Sequence, residues 1–542
     1  MNAKKSREKK QKKVKTYEPY VNDGKIIRMT KRRKKGLLRI LFSRVGLTAA
    51  LIFVQFGILY SLYDLFRDNF QWFSGAIIVF TIMTVFYLFD LDMDSTAKLT
   101  WLLLITLLPV PGAILLLFTQ KDIGHRAIKS RLEELVDQTR GKLGRYDKLK
   151  SDEEIESSGT AALCRYLNQS GSFALYKNTQ TQYFPVGEDA FEAMISELKR
   201  ARNFIFLEYF IVDEGKMWGE VLKILADKVK YGVDVRLMYD GMCEVSLLPY
   251  DYPQRLSSLG IKCKPFSPIR PFLSTHYNYR DHRKILVIDG KTAFTGGINM
   301  ADEYINHRER FGHWKDTAIM LKGDAVKSFT LMFLQMWNLT IPTPEWDRYL
   351  NATNKYDFET DGCIMPYCDS PLDNFKVGQT VYLDILARAK RYVHIMTPYL
   401  ILDNELETAL KFAALRGVDV KLILPGIPDK KLTYALAKSY YQYLTDAGVK
   451  IYEYTPGFLH AKVFVSDDEK AVVGTINLDY RSLYHHFECA AYMYRSSCIS
   501  DIERDFEETL TKCRAVTPDT IRHEKLFYKL GGSIMRLAAP LL

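Results

Sequence analysis

Apolar positions form three nearly continuous runs in the N-terminal part of the 542-residue chain, at residues 46–65, 72–89 and 99–118. Each run approaches the ~20 residues that a helix needs to cross a hydrocarbon core about 30 Å thick. The pattern therefore predicts transmembrane helices over residues 46–120. The third run contains the stretch 109–112, Pro-Val-Pro-Gly, which removes two backbone donors and predicts either a kinked span or a helix-turn-helix that re-enters from one side.

Beyond about residue 166, short β-branched stretches alternate with stretches of helical periodicity. This alternation predicts an α/β fold in which helices cover mixed or parallel sheets and ligands gather at one sheet edge. The intervening residues 121–165 are polar, but apolar residues recur there at helical spacing. They predict an amphipathic connector helix that lies at a membrane surface or, alternatively, a solvated linker helix. The residues concerned are Ile128, Leu132, Leu135 and Val136.

Several stretches occur twice in the same order, and each pair joins a helix end to a strand. The pairs are 200–207 with 388–395, 232–237 with 417–422, and 260–262 with 448–450. Such a repeat predicts two homologous α/β lobes, over residues 166–352 and 353–542. The boundary is expected near residues 351–358, where Asn, Thr, Lys and Asp cluster.

Each predicted lobe carries the pattern H-x-K-x4-D, followed at the same offset by a Gly-x-x-Asn turn. The residues are His282, Lys284, Asp289 and Asn299 in the first copy and His460, Lys462, Asp467 and Asn477 in the second. The apolar residues of 284–288 and 462–465 predict buried strands, on which a His and a Lys two positions apart share a face. Asp289 and Asp467 belong to the motif, but we expect them to shape the turn after each strand without touching substrate.

Two such half-sites facing each other would place two imidazoles and two ammonium groups around one phosphorus atom. One histidine could then attack while the other protonates the leaving oxygen. Lys284, Lys462, Asn299 and Asn477 would stabilise charge on the non-bridging oxygens. The alternative is a pair of structural strands with polar residues on a solvated surface. Neither a metal nor a cofactor is predicted, because metal-ligand spacing is absent from the sequence.

The paired motifs resemble those of the phospholipase D superfamily and, within it, of the bacterial cardiolipin synthases. The superfamily pattern covers roughly residues 170–510, and the apolar runs with Trp101 and the Pro-Val-Pro-Gly stretch resemble the helices that precede the catalytic part of the synthases. The resemblance implies two lobes packed about a pseudo-twofold axis. It also implies that His282 is the nucleophile and His460 the acid, so that their pKa values should be split around neutral pH.

The same resemblance suggests three further site residues. Glu488 is expected to orient His460 and Asp316 to orient His282, although both could instead be exposed ion-pairing carboxylates. Residues 278–284 resemble the N-x-R-x-H-R-K run of cardiolipin synthases. Arg280 is therefore expected to hold a second phosphate or, alternatively, to form a structural ion pair.

The function implied by the resemblance is a membrane phosphatidyltransferase that joins two phosphatidylglycerol molecules into cardiolipin and releases glycerol. A hydrolytic phospholipase D or another phosphatidyltransferase is the alternative, and a superfamily nuclease is a remote one. The apolar runs and the slightly acidic charge of −3 after residue 45 disfavour a nucleic-acid substrate. The sequence favours no oligomeric state.

Basic residues dominate both flanks of the apolar runs. Residues 1–45 hold 17 lysines and arginines against three acids, and residues 121–150 hold nine. We predict a disordered cytoplasmic tail that faces anionic lipid headgroups or serves only as a topology signal. Nucleic-acid binding by the tail is a further alternative. Because both flanks favour the cytoplasm, the third run is expected to re-enter, which gives a multi-pass protein of the cell membrane with cytoplasmic lobes. The eight cysteines lack zinc spacing and are expected to be reduced thiols.

Overall fold

Two mixed β-sheets flanked by helices make up the body of the protein. The computed structural model describes residues 17–30, 70–120, 126–143, 153–268, 279–351 and 362–541, together with positions 57, 60 and 61. In these residues the strands are β1 (Val21–Asn22), β2 (Ile27–Arg28), β3 (Thr179–Phe184), β4 (Phe204–Tyr209), β5 (Asp234–Asp240), β6 (Lys262–Phe266), β7 (Arg280–Asp281), β8 (Lys284–Ile288), β9 (Thr292–Gly296), β10 (His313–Lys315), β11 (Ala318–Gly323), β12 (Cys363–Asp369), β13 (Tyr392–Met396), β14 (Asp419–Pro425), β15 (Lys450–Tyr454), β16 (Gly457–Leu459), β17 (Val463–Ser466), β18 (Lys470–Gly474), β19 (His486–Tyr494) and β20 (Cys513–Ala515). The α-helices are α1 (Phe70–Asp90), α2 (Ser95–Leu107), α3 (Pro109–Gln120), α4 (Arg126–Thr139), α5 (Glu153–Ser157), α6 (Thr160–Gly171), α7 (Gly187–Arg200), α8 (Lys216–Lys230), α9 (Met242–Ser246), α10 (Tyr252–Ser257), α11 (Val326–Trp337), α12 (Asp347–Leu350), α13 (Val377–Arg388), α14 (Asn404–Leu415), α15 (Lys431–Asp446), α16 (Tyr480–Tyr484), α17 (Cys498–Leu510), α18 (Pro518–Arg522) and α19 (Leu526–Ala538).

The two sheets repeat one order of strands. The first runs β3-β11-β9-β8-β4-β5-β6, and the second runs β12-β19-β18-β17-β13-β14-β15 with β20 added at its edge. In both sheets the last three of these shared strands are parallel and the others pair antiparallel. This agreement is what the sequence repeat predicts of each lobe. The pseudo-twofold relation between the lobes stays a prediction.

The motif strands lie near the centre of each sheet. Every residue of β8, β9, β17 and β18 is buried, which shows that both faces of these strands are covered. The predicted strand at 284–288 is confirmed, and the one predicted at 462–465 begins one residue later, at Val463.

One hydrophobic core runs through both lobes. It contains Val287 and Ile319 of the first sheet together with Phe464 and Val472 of the second. The lobes therefore share a core, and the position of one sheet depends on the other.

Part of the predicted disordered tail is folded. Residues 17–30 form the β1–β2 hairpin, and Met29 is fully buried in the core of the first lobe. The Met29 N–H donates to Glu214 Oε1 (3.1 Å), and Arg255 donates to the Met29 carbonyl (3.0 Å). The basic composition concealed the apolar residues Ile27 and Met29, which bind this segment to the lobe. Residues 1–16 and 31–45 of the predicted tail lie outside the described residues.

The predicted apolar runs have different outcomes. The run 46–65 lies outside the described residues apart from positions 57, 60 and 61, whereas the run 72–89 falls within α1. The run 99–118 is divided between α2 and α3, because Pro109 and Pro111 provide no backbone N–H to continue a single helix. Among the helices of the described ranges, none has both the length and the apolar character required to cross a membrane.

The three N-terminal helices pack on one another. Leu88 of α1, Trp101 and Ile105 of α2, and Leu116 of α3 form a small core of their own. A Cβ at Gly112 would lie 3.0 Å from Ile105 Cα, so glycine allows α3 to approach α2 closely. The break predicted at residues 109–112 is thus a tight junction between two packed helices.

The connector is helical, as predicted, but protein covers its apolar face. Leu135 of α4 is fully buried in the common core, and Gln335 of α11 donates to Thr139 Oγ1 (3.0 Å). The expectation of a helix at a membrane surface is therefore corrected, since its apolar stripe is already in contact with α11. Cys164 and Leu167 of α6 also belong to the core, so the folded body begins before residue 166.

Candidate active site

Two short strand pairs that cross between the lobes position the motif histidines. Strand β7 of the first lobe pairs with the start of β19 of the second, and the His282 N–H donates to the Phe487 carbonyl (2.9 Å). Likewise, β16 of the second lobe pairs with β10 of the first, and the His460 N–H donates to the Lys315 carbonyl (2.7 Å). Each histidine is thus attached by its own backbone to the opposite lobe.

The next residue on each of those opposite strands is a carboxylate. Glu488 follows Phe487, and both of its oxygens lie 2.9 Å from His282 Nδ1. Asp316 follows Lys315, and its Oδ2 lies 2.6 Å from His460 Nδ1. Both carboxylates are fully buried. An ionised carboxylate can only accept, so Nδ1 of each imidazole carries the proton and Nε2 is left with the lone pair.

The expected assignment of carboxylates to histidines is therefore wrong, because the partners are exchanged between the lobes. Glu488 orients His282 and Asp316 orients His460, whereas the family resemblance implies that each acid orients the histidine of its own lobe. The cause is the strand pairing between lobes, which no local spacing encodes. The alternative of exposed ion-pairing carboxylates is also excluded by their burial.

The two copies differ in the turn beside each carboxylate. A Cβ at Gly297 would lie 1.9 Å from Asp316 Oδ1, so only glycine leaves room for that carboxylate. The corresponding Thr475 instead donates its hydroxyl to Glu488 Oε2. Glycine at this position in the first copy makes room for Asp316, and Glu488 has a hydroxyl donor that Asp316 lacks here.

The two motif lysines are buried beside the histidines. Lys284 Nζ donates to the His282 carbonyl (2.5 Å), and Lys462 Nζ donates to the His460 carbonyl. Burial lowers the pKa of Lys284 to about 8 against the opposing effect of Glu488, and it lowers the pKa of Lys462 to about 7. The two lysines therefore lose their positive charge as the pH rises through about 7 to 8.

Both motif histidines are neutral at pH 7. Burial, followed by the charges of Lys284 and Lys462, holds the pKa of His282 well below its usual value. Burial and Lys462 lower the pKa of His460 to about 4, although Asp316 acts in the opposite direction. The hypothesis of one neutral and one protonated histidine thus does not describe the ligand-free site.

The motif aspartates lie at the far ends of their strands and hold turns, as expected. Asp289 accepts the N–H groups of Arg202, Asn203 and Phe204 between α7 and β4. Asp467 accepts those of Lys390, Arg391 and Tyr392 between α13 and β13. Both aspartates adopt positive φ, +54° and +57°, which fits a tight turn.

The two motif asparagines differ in their hydrogen bonds, although their positions in the two motifs match. Asn299 is engaged within its own lobe, since Oδ1 accepts from the Ile211 N–H (2.9 Å) and Nδ2 donates to Tyr304 Oη (2.7 Å). Asn477 Oδ1 is buried and has no hydrogen-bond partner among the described residues. Arg280 is buried, with Nη1 3.5 Å from Asp240 Oδ1 and 2.9 Å from the Ser267 carbonyl, which matches the structural ion pair.

One site residue escaped the sequence analysis. His486 is buried, its ring centroid lies 5.4 Å from that of His282, and its Nδ1 lies 3.6 Å from Glu488 Oε1. Burial lowers the pKa of His486 to about 3, so it is neutral. The signal was present: residues two apart on a strand share a face, and His486 precedes Glu488 by two.

Aromatic rings surround both imidazoles. Phe210 stands edge-on to His282 at 5.0 Å between centroids, and Trp314, Tyr304 and Phe458 lie within 5.8 Å of His460. These rings exclude water, which strengthens every electrostatic interaction in the site.

Comparison with known proteins identifies the family of the chain. The family model described as "Cardiolipin synthase, PLD-like domain" matches residues 194–337 and 382–510, about half of the chain. The chain belongs to the phospholipase D-like family of cardiolipin synthases.

Relatives within and beside the cardiolipin synthase family extend the match over nearly the whole chain. A cardiolipin synthase of Alkalihalophilus pseudofirmus is 33% identical over 501 residues, which cover 90% of this chain and 98% of the relative. An uncharacterized protein of Streptococcus mutans is 57% identical over 461 residues, covering 85% of this chain and 100% of the relative. The crystal structure of phosphatidylserine synthase from Haemophilus influenzae aligns with a TM-score of 0.53 and 14% identity over 71% of this chain and 100% of that one, which shows a shared fold.

In this member of the cardiolipin synthase family, one group of site residues has the chemistry to hold a metal ion. Ligand atoms of His282, His486 and Glu488 lie within 4.8 Å of one another, and all three residues are buried. Two imidazoles and a carboxylate suit zinc or another transition metal. A metal bound through His282 Nε2 would occupy the lone pair on that nitrogen.

Proposed function

We propose that the protein is a cardiolipin synthase, which transfers a phosphatidyl group between two phosphatidylglycerol molecules to give cardiolipin and glycerol. The observation that supports this reaction is the exchanged pairing of carboxylates and histidines. Two neutral imidazoles, each oriented by a buried carboxylate of the opposite lobe, provide the nucleophile and the proton carrier that double displacement at phosphorus requires. Relatives named cardiolipin synthase agree with it.

In the first step His282 Nε2 attacks the phosphorus of one phosphatidylglycerol. The P–N bond forms, the bond from phosphorus to the head-group glycerol oxygen breaks, and His460 gives its proton to that oxygen. Glu488 stabilises the positive charge that develops on His282. The products of this step are free glycerol and a phosphatidyl-histidine.

In the second step His460 acts as a base. It takes the proton from a head-group hydroxyl of the second phosphatidylglycerol, whose oxygen attacks phosphorus as the P–N bond breaks. Cardiolipin leaves, and both histidines return to the forms in which the first step began, because His460 again carries the proton that it had donated. That proton serves the next turnover.

His460 needs a proton that the ligand-free site does not hold, since its pKa is about 4. A bound phosphodiester brings negative charge next to both imidazoles and opposes the lysines, and a nearby negative charge raises the pKa of histidine. Substrate binding would therefore prepare the acid. Lys284 and Lys462 would stabilise the non-bridging oxygens in the same complex.

Phosphatidylglycerol resides in bilayers, so this reaction takes place at a membrane. The apolar run 46–65 and the exposed apolar residues of α1–α3 agree with this location. Arg280, as a buried ion pair, is left out of substrate binding in this proposal.

The test is conversion of labelled phosphatidylglycerol by the purified full chain in excess chelator, with products separated by thin-layer chromatography. We expect cardiolipin and glycerol in equal amounts without added metal. Phosphatidic acid as the sole lipid product would show that water resolves the intermediate and that the protein is a hydrolase. Activity lost under chelation and restored by metal would contradict a reaction carried by histidines alone.

Acid-quench trapping with labelled lipid tests the assignment of the two histidines. His282→Ala should abolish the covalent label, whereas His460→Ala should still label slowly with a substrate whose leaving group needs no proton. A label on His460 in the His282→Ala protein would reverse the roles. The absence of any label in the wild-type protein would contradict the covalent route.

A further inference from the structure

The C-terminal helix α19 presents an uncovered apolar stripe. Leu526, Leu530 and Ile534 lie four residues apart, on one face of the helix, and are 68%, 57% and 66% exposed. Large apolar side chains in one continuous stripe usually mark a surface that contacts something. The stripe is therefore a binding surface rather than scattered apolar residues.

The opposite face of α19 is packed tightly on the second lobe. A Cβ at Gly532 would lie 2.4 Å from the Ala435 carbonyl oxygen of α15, so the two helices are in backbone contact. Tyr528 packs edge-on against Tyr434 (5.7 Å), and Arg536 is 2.7 Å from Glu407. The body of the protein thus fixes the direction in which the stripe points.

Exposed cations border the stripe. Arg522, Lys525 and Lys529 are all exposed at the start of α19 and just before it, while the acid among them, Glu524, pairs with Lys438 of α15. Lys525, which immediately precedes α19, and Lys529 within it lie next to the apolar side chains. An apolar stripe edged by lysines is the pattern of a helix that lies in the headgroup region of an anionic bilayer.

A second exposed apolar stripe lies on a helix that contacts α19. α19 and the turn that follows it contact α2. Helix α2 carries its own exposed stripe of Leu99, Leu103 and Leu107. The N-terminal and C-terminal helices therefore meet on one side of the protein.

We propose that α19 is a membrane-contact helix: its stripe inserts among the acyl chains of a bilayer, and Lys525 and Lys529 bind the anionic headgroups. This inference rests on the proposed function in one respect, since a lipid substrate requires the body to stand at a bilayer. Together with α2, the helix gives the second lobe a fixed orientation toward the lipid that carries the substrate. The lysines beside the stripe complement the charge of an anionic bilayer.

The experiment places a fluorophore at position 530 of the full chain. Leu530→Cys, labelled with an environment-sensitive dye and corrected for labelling of the native cysteines, is reconstituted into vesicles of phosphatidylglycerol or phosphatidylcholine. We expect a blue shift and strong quenching by nitroxide groups on the acyl chains, both larger in phosphatidylglycerol. The matched control is Tyr231→Cys, which is 84% exposed on the first lobe, and its emission should not change.

One triple variant and two single variants test the two parts of the surface. Leu526→Gln, Leu530→Gln and Ile534→Gln together should lower the ratio of activity on vesicles to activity in detergent micelles. Lys525→Ala and Lys529→Ala should each weaken the salt-sensitive part of vesicle binding by about fivefold. Equal loss of activity on vesicles and in micelles would indicate damage to folding and would overturn the proposal of a membrane-contact helix.

Other outcomes are decided by the same samples. A label at position 530 that stays in water in the presence of phosphatidylglycerol vesicles overturns the proposal even if cardiolipin is made. Disulfide cross-linking of Leu530→Cys between two chains in lipid-free detergent would identify a second copy as the occupant and overturn it as well. An inserted label in a protein that makes no cardiolipin would uphold the membrane helix and reject the proposed function.

Discussion

At the scale of single residues, the site is defined by the carboxylate that lies next to each imidazole. The two acids differ in their surroundings and are exchanged between the lobes. Glu488 accepts a hydrogen bond from the Thr475 hydroxyl, whereas Asp316 lies against Gly297. The two histidines are therefore in unlike environments although their motifs match. This difference allows the roles of the two acids to be separated by experiment.

Glu488→Gln and Asp316→Asn should each lower turnover of phosphatidylglycerol on the order of a thousandfold or more, because an amide cannot stabilise the imidazolium. Their effects should diverge with a nitrophenyl phosphatidyl ester, whose leaving group needs no proton. There Asp316→Asn should recover most of the rate of the first step, while Glu488→Gln should not. The burst of nitrophenol in stopped flow measures this. Recovery in Glu488→Gln instead would make His460 the nucleophile.

The decrease of activity at alkaline pH should follow the deprotonation of the two motif lysines. Lys462, with a pKa of about 7, and Lys284, with a pKa of about 8, lose their charge as the pH rises through that range, so binding of the anionic substrate weakens. His282 stays neutral throughout because its pKa is well below its usual value. We expect kcat/KM to fall between pH 7 and 8.

Lys462→Arg should move that fall to higher pH by at least about one unit, whatever its effect on the maximal rate, since a guanidinium keeps its proton. Lys470→Arg is the matched control, because Lys470 is a buried lysine outside the site. The measurement is kcat/KM against pH for the three proteins. An unchanged midpoint in Lys462→Arg would exclude this lysine as the group that titrates.

At the scale of secondary structure, the strands were predictable and the partners of the strands were not. The apolar run 284–288 could only be a buried strand, and the prolines of 109–112 could only interrupt a helix. The strand pair that brings Glu488 to His282 joins residues 206 positions apart, so no window of sequence contains it. The folded hairpin at 17–30 was missed because its lysine-rich surroundings outweighed two buried side chains.

The hairpin makes its own prediction. Met29→Ala should lower the free energy of unfolding by about 2–5 kcal/mol, the usual result of truncating a fully buried methionine. Chemical denaturation of the full chain in detergent, followed by fluorescence, measures the change. Lys25→Ala, at an exposed position of the same hairpin, should have an effect below about 0.5 kcal/mol. Equal effects of the two changes would show that the hairpin does not contribute to stability through Met29.

At the scale of the whole molecule, the hairpin constrains how the chain meets a membrane. Residues 17–30 precede the apolar runs and the lobes follow them, yet Met29 is buried in the first lobe. Both ends of the apolar region therefore lie on the same side of any bilayer. This agrees with the prediction that both flanks lie on one side of the membrane. That this side is the cytoplasm stays a prediction.

Cysteine labelling in intact cells tests this topology. Lys25→Cys on the hairpin and Arg165→Cys on α6 are both exposed, and both should be protected from an impermeant reagent and should label after lysis. Labelling of both positions in intact cells would place the lobes outside. Labelling of only one would contradict the packing of the hairpin on the first lobe.

The exchange of carboxylates between the lobes has a consequence for how the protein loses activity as it unfolds. Slight separation of the halves, with every helix and strand intact, would remove the orienting acid from both imidazoles at once. Catalysis should therefore vanish at lower denaturant concentration than circular dichroism or tyrosine fluorescence. The rate of the reaction therefore reports how tightly the two lobes pack against each other.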